Sequence, residues 1–172
     1  MDITGLTPPF TYYGGKVRAA KWIISHFPAH DLYVEPFGGA AAVLLAKPPS
    51  KNEIYNDLRS DIVGFYRVLR NDEQRARLKQ LISYTPYSRE EFYAVRKIYY
   101  SPEKDPVVRA WRFWVLASMC FGGGVSQISR TSSSNDPSKA KGEDYSAKGD
   151  KGFGVSYGIN KSGISLTKVS VS

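Results

Sequence analysis

Residues 33–45 read Tyr33-Val34-Glu35-Pro36-Phe37-Gly38-Gly39-Ala40-Ala41-Ala42-Val43-Leu44-Leu45. An apolar run ends in a carboxylate, Glu35. A turn of tiny residues follows, Gly38 to Ala42, and a helix begins at Val43. About 20 residues on, the spacing of a nucleotide-binding βαβ unit, a second apolar run, Ile54-Tyr55, ends in Asn56-Asp57. Strand, small-residue turn, helix, strand and acid is the layout of a mononucleotide-type site on a parallel sheet. The turn must be tiny where a ligand lies against backbone. The second acid stands where a ribose would present its hydroxyls.

Three ligands compete for that turn. A phosphate-binding P-loop needs Gly, four residues, then Gly-Lys-Ser/Thr. Gly15-Lys16 is followed by Val17, and position 10 is Phe, so that reading fails. A dinucleotide site needs Gly-x-Gly-x-x-Gly to bring helix amides onto a pyrophosphate. Gly38-Gly39-Ala40-Ala41-Ala42 has no third glycine, and the Glu35 charge repels phosphate. A ligand with a cationic amino acid end suits that charge better. S-adenosylmethionine carries an ammonium, a sulfonium and a ribose, so Glu35 would face its methionine end and Asp57 its ribose. The same glycines also serve a tight βα turn with no ligand at all.

The chain has 172 residues, enough for one domain with a core. Its net charge of +8 suggests an anionic partner such as nucleic acid, a membrane surface or an acidic protein; a merely basic protein would look the same. The single cysteine, Cys120, excludes an internal disulfide and a cysteine-based metal cluster. Two histidines, His26 and His30, are too few for a His-rich metal site and read as helix-end or solvated residues. No metal is expected. No long apolar run or leader pattern appears, and the chain reads as cytoplasmic.

Outward from the turn, Tyr12-Tyr13-Gly14-Gly15-Lys16 is a tight loop after an irregular lead-in. Val17, Ala20, Ile23, Ile24 and Phe27 share a helical face, and Pro28 stops that helix. Strands are expected over 32–35 and 53–56, with a short helix over 40–47. A helix over 58–69 turns Ile62, Phe65, Tyr66 and Leu69 inward. Residues 72–83 follow as a helix, and Ser88 with Glu91 makes a capping box for another through Tyr99, with Phe92, Val95, Ile98 and Tyr99 inward. Asp105-Pro106 opens the most apolar helix, to about Met119, on which Arg109 and Arg112 read as solvated or paired. Residues 122–150 are rich in Gly, Ser, Asp and Lys and read as a long mobile loop.

Together these residues resemble a known family. Tyr-x-Gly-Gly-Lys, then Val-Glu-Pro-Phe-Gly-Gly-Ala, then Asn-Asp-Leu-Arg-Ser-Asp is similar, in order and spacing over residues 10–70, to the D12 class (Dam type) of adenine-specific DNA methyltransferases. Arg109 to Leu116, followed by an aromatic and glycines, resembles that family's DNA-recognition region. The resemblance implies an α/β fold: a Rossmann-like S-adenosylmethionine-dependent sheet, incomplete here, with a helical recognition domain. It implies a cofactor part over 1–70, a DNA-binding part over 71–158, and a tail over 159–172 that returns toward the catalytic part or is non-native. Tyr12, Gly14, Gly15, Lys16, Glu35, Phe37, Gly39 and Asp57 would bind the cofactor. Phe121 would wedge beside a flipped adenine in double-stranded DNA, and Ser126 or Arg130 would stand where the family places a guanine-reading arginine.

Two departures stand out. The second glycine of the family's Phe-x-Gly-x-Gly is Ala41 here, which hinders close backbone approach. The family's Asp/Asn-Pro-Pro-Tyr/Phe, which presents the adenine amino group to the methyl donor, does not occur. The expected function is therefore site-specific DNA adenine N6-methyl transfer, in a fragment with impaired or no catalysis. The alternative is a non-catalytic DNA-binding remnant. An incomplete sheet would also leave an apolar edge open to self-association.

Overall fold

A computed structural model describes residues 5–120. Two strands, β1 (Leu32–Glu35) and β2 (Asn52–Tyr55), pair in parallel, with Leu32 opposite Asn52 and Glu35 opposite Tyr55. Helix α1 (Ala20–Ser25) precedes them and α2 (Ala42–Ala46) joins them. Then come α3 (Ser60–Arg70), α4 (Asp72–Tyr84), α5 (Arg89–Ile98) and α6 (Pro106–Met119). This is a mixed α/β arrangement with a small parallel sheet. Phe121, the residues read as a mobile loop over 122–150, with Ser126 and Arg130 among them, and the tail over 159–172 lie outside the described residues.

Caps set the helix starts. Asn71, Ser88 and Asp105 each accept a backbone amide two or three residues on, from Gln74, Glu91 and Val107. Pro106 occupies the first turn of α6, where a missing N–H costs nothing.

Helix α6 is buried almost all round, and its Phe113, Val115 and Leu116 join Ile62, Phe65 and Leu69 of α3 in one core with Leu78, Phe92 and Val95. Phe10 of the lead-in enters that core, edge-on to Phe65 at 5.3 Å and to Phe113 at 4.8 Å. Trp114 Nε1 donates to the Pro9 carbonyl at 3.2 Å, across 105 residues. The lead-in is thus an anchored segment, which places Tyr12 at the sheet. A second cluster packs Ala20 and Ile24 against Val43 and Ala46.

Some inward expectations fail. Val17 and Ile98 are exposed. Helix α1 starts only at Ala20, so Val17 precedes the regular turns, and Ile98 is the last residue of α5, its side chain left facing solvent. Arg112 is buried and paired: its guanidinium donates to Glu103 at 3.0 Å and to the carbonyls of Ile98 and Ser101. It clamps the α5–α6 connection. Strand register puts Leu32, Val34 and Ile54 on one sheet face, where all three are half-exposed. Parallel sheets are ordinarily covered on both faces.

Candidate functional site

The site forms where both strands end. Gly38 N donates to the Asn56 carbonyl at 2.9 Å, and Asn56 N to the Glu35 carbonyl at 3.0 Å, so the segments leaving β1 and β2 run side by side. Gly39 N then donates to Asp57 Oδ2 at 2.8 Å. The other oxygen, Oδ1, accepts Arg59 N at 2.9 Å. Each carboxylate oxygen keeps a lone pair for a further donor, and Asp57 remains partly exposed at the lip of the small-residue turn.

Packing explains the small residues. A Cβ at Gly38 would stand 2.0 Å from the Tyr55 ring, and one at Gly39 would meet the Tyr12 ring at 2.9 Å. Gly39 has φ +50°, which glycine adopts freely. Ala41 shares that left-handed region at φ 52°, ψ 36°, in a chain that has no glycine there. Two tyrosines hold the turn from behind. Tyr55 Oη donates to the Gly39 carbonyl at 2.7 Å and Tyr66 Oη to the Ala40 carbonyl at 2.9 Å. Burial pushes both phenols up, so they stay protonated donors.

Glu35 is half-buried behind the turn. Its Oε2 accepts Leu44 N at 3.2 Å, meeting an orphan amide of α2 that Ala41 has no side chain to cap. Burial raises the Glu35 pKa, against the Leu44 amide and the Tyr33 hydroxyl, which favour the charged form. Phe37 and Leu58 follow the ends of adjoining strands and are 89% and 97% exposed. Leu58, expected to open the helix over 58–69, instead precedes α3, which starts at Ser60, and stands in solvent beside the second acid.

Tyr12 lies against Gly39, and its hydroxyl meets the Arg59 guanidinium. Gly14 takes φ +75°, Gly15 N closes a turn onto the Tyr12 carbonyl at 3.0 Å, and Lys16 Nζ donates to the Gly14 carbonyl at 2.7 Å. This loop therefore shapes the approach to Tyr12. Glu35, Gly39, Asp57 and Tyr12 are brought together, while Lys16 stays exposed on its own loop. Among the described residues no group of His, Cys, Asp or Glu gathers that could hold a metal ion. No described helix is long and apolar enough to cross a membrane.

This geometry sits inside a sequence pattern shared with known enzymes. The family model for D12 class N6 adenine-specific DNA methyltransferases matches residues 12–148. The chain belongs to that class. DNA adenine methylase of Serratia marcescens is 30% identical over 112 residues, covering 64% of this chain and 41% of the relative. DNA adenine methylase of Escherichia coli K12 is 30% identical over 112 residues, 64% of this chain and 40% of the relative. A type II methyltransferase of Methanocaldococcus jannaschii is 29% identical over 134 residues, 67% of this chain and 46% of the relative. This D12-class chain spans less than half the length of these curated relatives.

Proposed function

We propose that this chain carries the cofactor cradle and helical DNA-recognition part of an S-adenosylmethionine-dependent DNA adenine N6-methyltransferase. The observation that carries the reading is Asp57 bonded to the Gly39 amide. It fixes an acid with free lone pairs beside a turn that has no room for a side chain at Gly38 or Gly39. The residues suit S-adenosylmethionine: Asp57 accepts from the ribose hydroxyls, Phe37 and Leu58 offer apolar surface to the purine, and Tyr12 closes the cradle over Gly39. Glu35, from behind the turn, supplies negative potential toward the ammonium end. Acids at the turn disfavour a pyrophosphate. When bound, the cofactor supplies an electrophilic methyl group on sulfur.

Net charge +8 suits a polyanion. The adenine would be flipped from double-stranded DNA. Phe121, Ser126 and Arg130 are the candidates for contact with the flipped base and its neighbours. Methyl transfer needs an Asp-Pro-Pro-Tyr-like group to present the adenine amine, which this sequence does not hold. The sheet in the whole enzyme would be Rossmann-like, with further strands beside β1. Until those strands are supplied, the open edge and the Leu32, Val34 and Ile54 face favour self-association.

Calorimetry with S-adenosylhomocysteine tests the cofactor. Binding near one equivalent is expected, and binding of NAD in its place would overturn the reading. A radiolabelled methyl-transfer assay on adenine-containing duplexes should show little or no turnover by this chain alone. Duplex affinity should fall steeply with salt.

A further inference from the structure

Asp61 is saturated by protein donors. Oδ1 accepts Arg59 Nε at 3.1 Å and Ile62 N at 2.8 Å. Oδ2 accepts Arg59 Nη2 at 2.5 Å and the Tyr99 hydroxyl. With four acceptor sites filled, Asp61 has nothing left to offer a ligand. Tyr99, however, comes from a distant element. It follows α5, 38 residues along the chain, in the helical region. An aspartate that only capped α3 would not need it.

Arg59 holds the other end. Its forked pairing with Asp61 fixes the guanidinium plane. Its side chain meets the Tyr12 hydroxyl, and its backbone amide is bound by Asp57 Oδ1. Tyr12 in turn lies on Gly39, whose amide binds Asp57 Oδ2. The contacts run without a break from Tyr99 through Asp61 and Arg59 to both walls of the cradle. The groups are partly buried, where polar networks are strong when complete and costly when broken.

We propose that Tyr99, Asp61 and Arg59 form a positioning relay that ties the helical region to Tyr12 and Asp57, so that a shift of α5 against DNA changes cofactor affinity. This rests on the reading of the cradle as the S-adenosylmethionine site. None of the three needs to touch the cofactor. Linkage makes the effect mutual: cofactor bound at the cradle would alter DNA affinity by the same factor.

The test compares two single-group deletions in the full chain. Tyr99→Phe removes the hydroxyl at the head of the relay. Thr85→Val removes the Trp111 Nε1 to Thr85 Oγ1 bond of 2.8 Å in the same helical region, with no part in the cradle. Calorimetry should show S-adenosylhomocysteine binding weakened about fivefold or more by Tyr99→Phe, the range of ordinary site couplings. Thr85→Val should leave it unchanged at a comparable loss of melting temperature. In the Arg59→Met background, Tyr99→Phe should cost nothing further. Equal affinity for Tyr99→Phe and wild type, or equal weakening by both deletions, would overturn the relay. The Tyr12 ring signal in a spectrum of 13C-tyrosine-labelled protein, assigned with Tyr12→Phe, separates the two readings. If that signal shifts in Tyr99→Phe but not in Thr85→Val while wild type binds no S-adenosylhomocysteine, the relay stands and the cofactor reading falls. If it is unmoved by Tyr99→Phe, the relay falls whatever binds.

Discussion

The Tyr55 ring occupies the space that a side chain at Gly38 would need: an ideal Cβ there would stand 2.0 Å from ring Cε2. The contact is with a ring whose own hydroxyl is committed to the Gly39 carbonyl, so it cannot swing away without a loss. Gly38→Ala should therefore cost about 1–3 kcal/mol, the range for overpacking a filled site. Thermal unfolding should show it as a drop of several degrees. An unchanged melting temperature would mean that the ring moves freely.

Tyr55 and Tyr66 grip successive carbonyls of the turn, Gly39 and Ala40. Tyr55→Phe and Tyr66→Phe should each cost about 1 kcal/mol for a buried bond. Because both act on one turn, the double variant should depart from additivity. S-adenosylhomocysteine affinity should fall more for Tyr55→Phe, whose carbonyl belongs to the residue that binds Asp57. Urea unfolding and calorimetry on the three variants and the wild type measure both effects.

Ala41 sits in the left-handed region with its methyl group buried. Relief of about 1–2 kcal/mol of backbone strain on going to glycine is offset by a buried methyl worth about 0.8 kcal/mol and by glycine's entropy of about 0.5–1 kcal/mol. Ala41→Gly should leave stability within about 1 kcal/mol of wild type, where those opposing effects balance. Ala41→Val puts a β-branched side chain on a left-handed backbone that it tolerates poorly, and should cost about 1–2 kcal/mol or more relative to Ala41→Gly. Equal melting temperatures for the two variants would contradict the backbone assignment.

Glu35 and Asp61 should leave opposite marks on the pH profile. Burial raises the Glu35 pKa, so the folded state holds that proton more tightly than the unfolded chain does. Its stabilising share is full below the unfolded carboxyl value, about 4.3, and is lost as pH rises through the folded value. Burial also opposes the charge of Asp61, but the Arg59 and Tyr99 bonds and the Ile62 amide outweigh it and hold its pKa low. Its share is present above the unfolded value and is lost as pH falls through the folded one. Glu35→Gln should thus lose less stability than wild type as pH rises from about 4 to 7. It should also bind S-adenosylhomocysteine more weakly, because the negative potential is gone. A variant that lost stability and kept its affinity would make Glu35 a helix cap and nothing more.

Asp57→Asn keeps an oxygen for the Gly39 amide but removes the charge. Weaker S-adenosylhomocysteine binding with duplex affinity intact is expected, measured by calorimetry and by fluorescence anisotropy. Asp57→Ala is the harsher probe, since it also frees the amides of Gly39 and Arg59.

The sequence by itself determined the order of the elements and which residues stand at the ends of the two strands. Local signals carry that information: Ser88 and Asp105 announce their helices through bonds two or three residues away, and strand, tiny turn and acid follow one another within a βαβ unit. Glu35, Gly39 and Asp57 were legible for that reason. Tertiary structure alone decided what holds them. Pro9 and Phe10 lie in a stretch with no periodicity, yet are fixed by Trp114, Phe65 and Phe113. Tyr66 read only as an inward aromatic, with no sign that its hydroxyl would reach the Ala40 carbonyl 26 residues away. Nor does anything near Tyr99 in the chain point to Asp61. Such bonds depend on where helices come to rest against one another. That is set by burial of the shared α3–α6 core, and no short-range spacing encodes it.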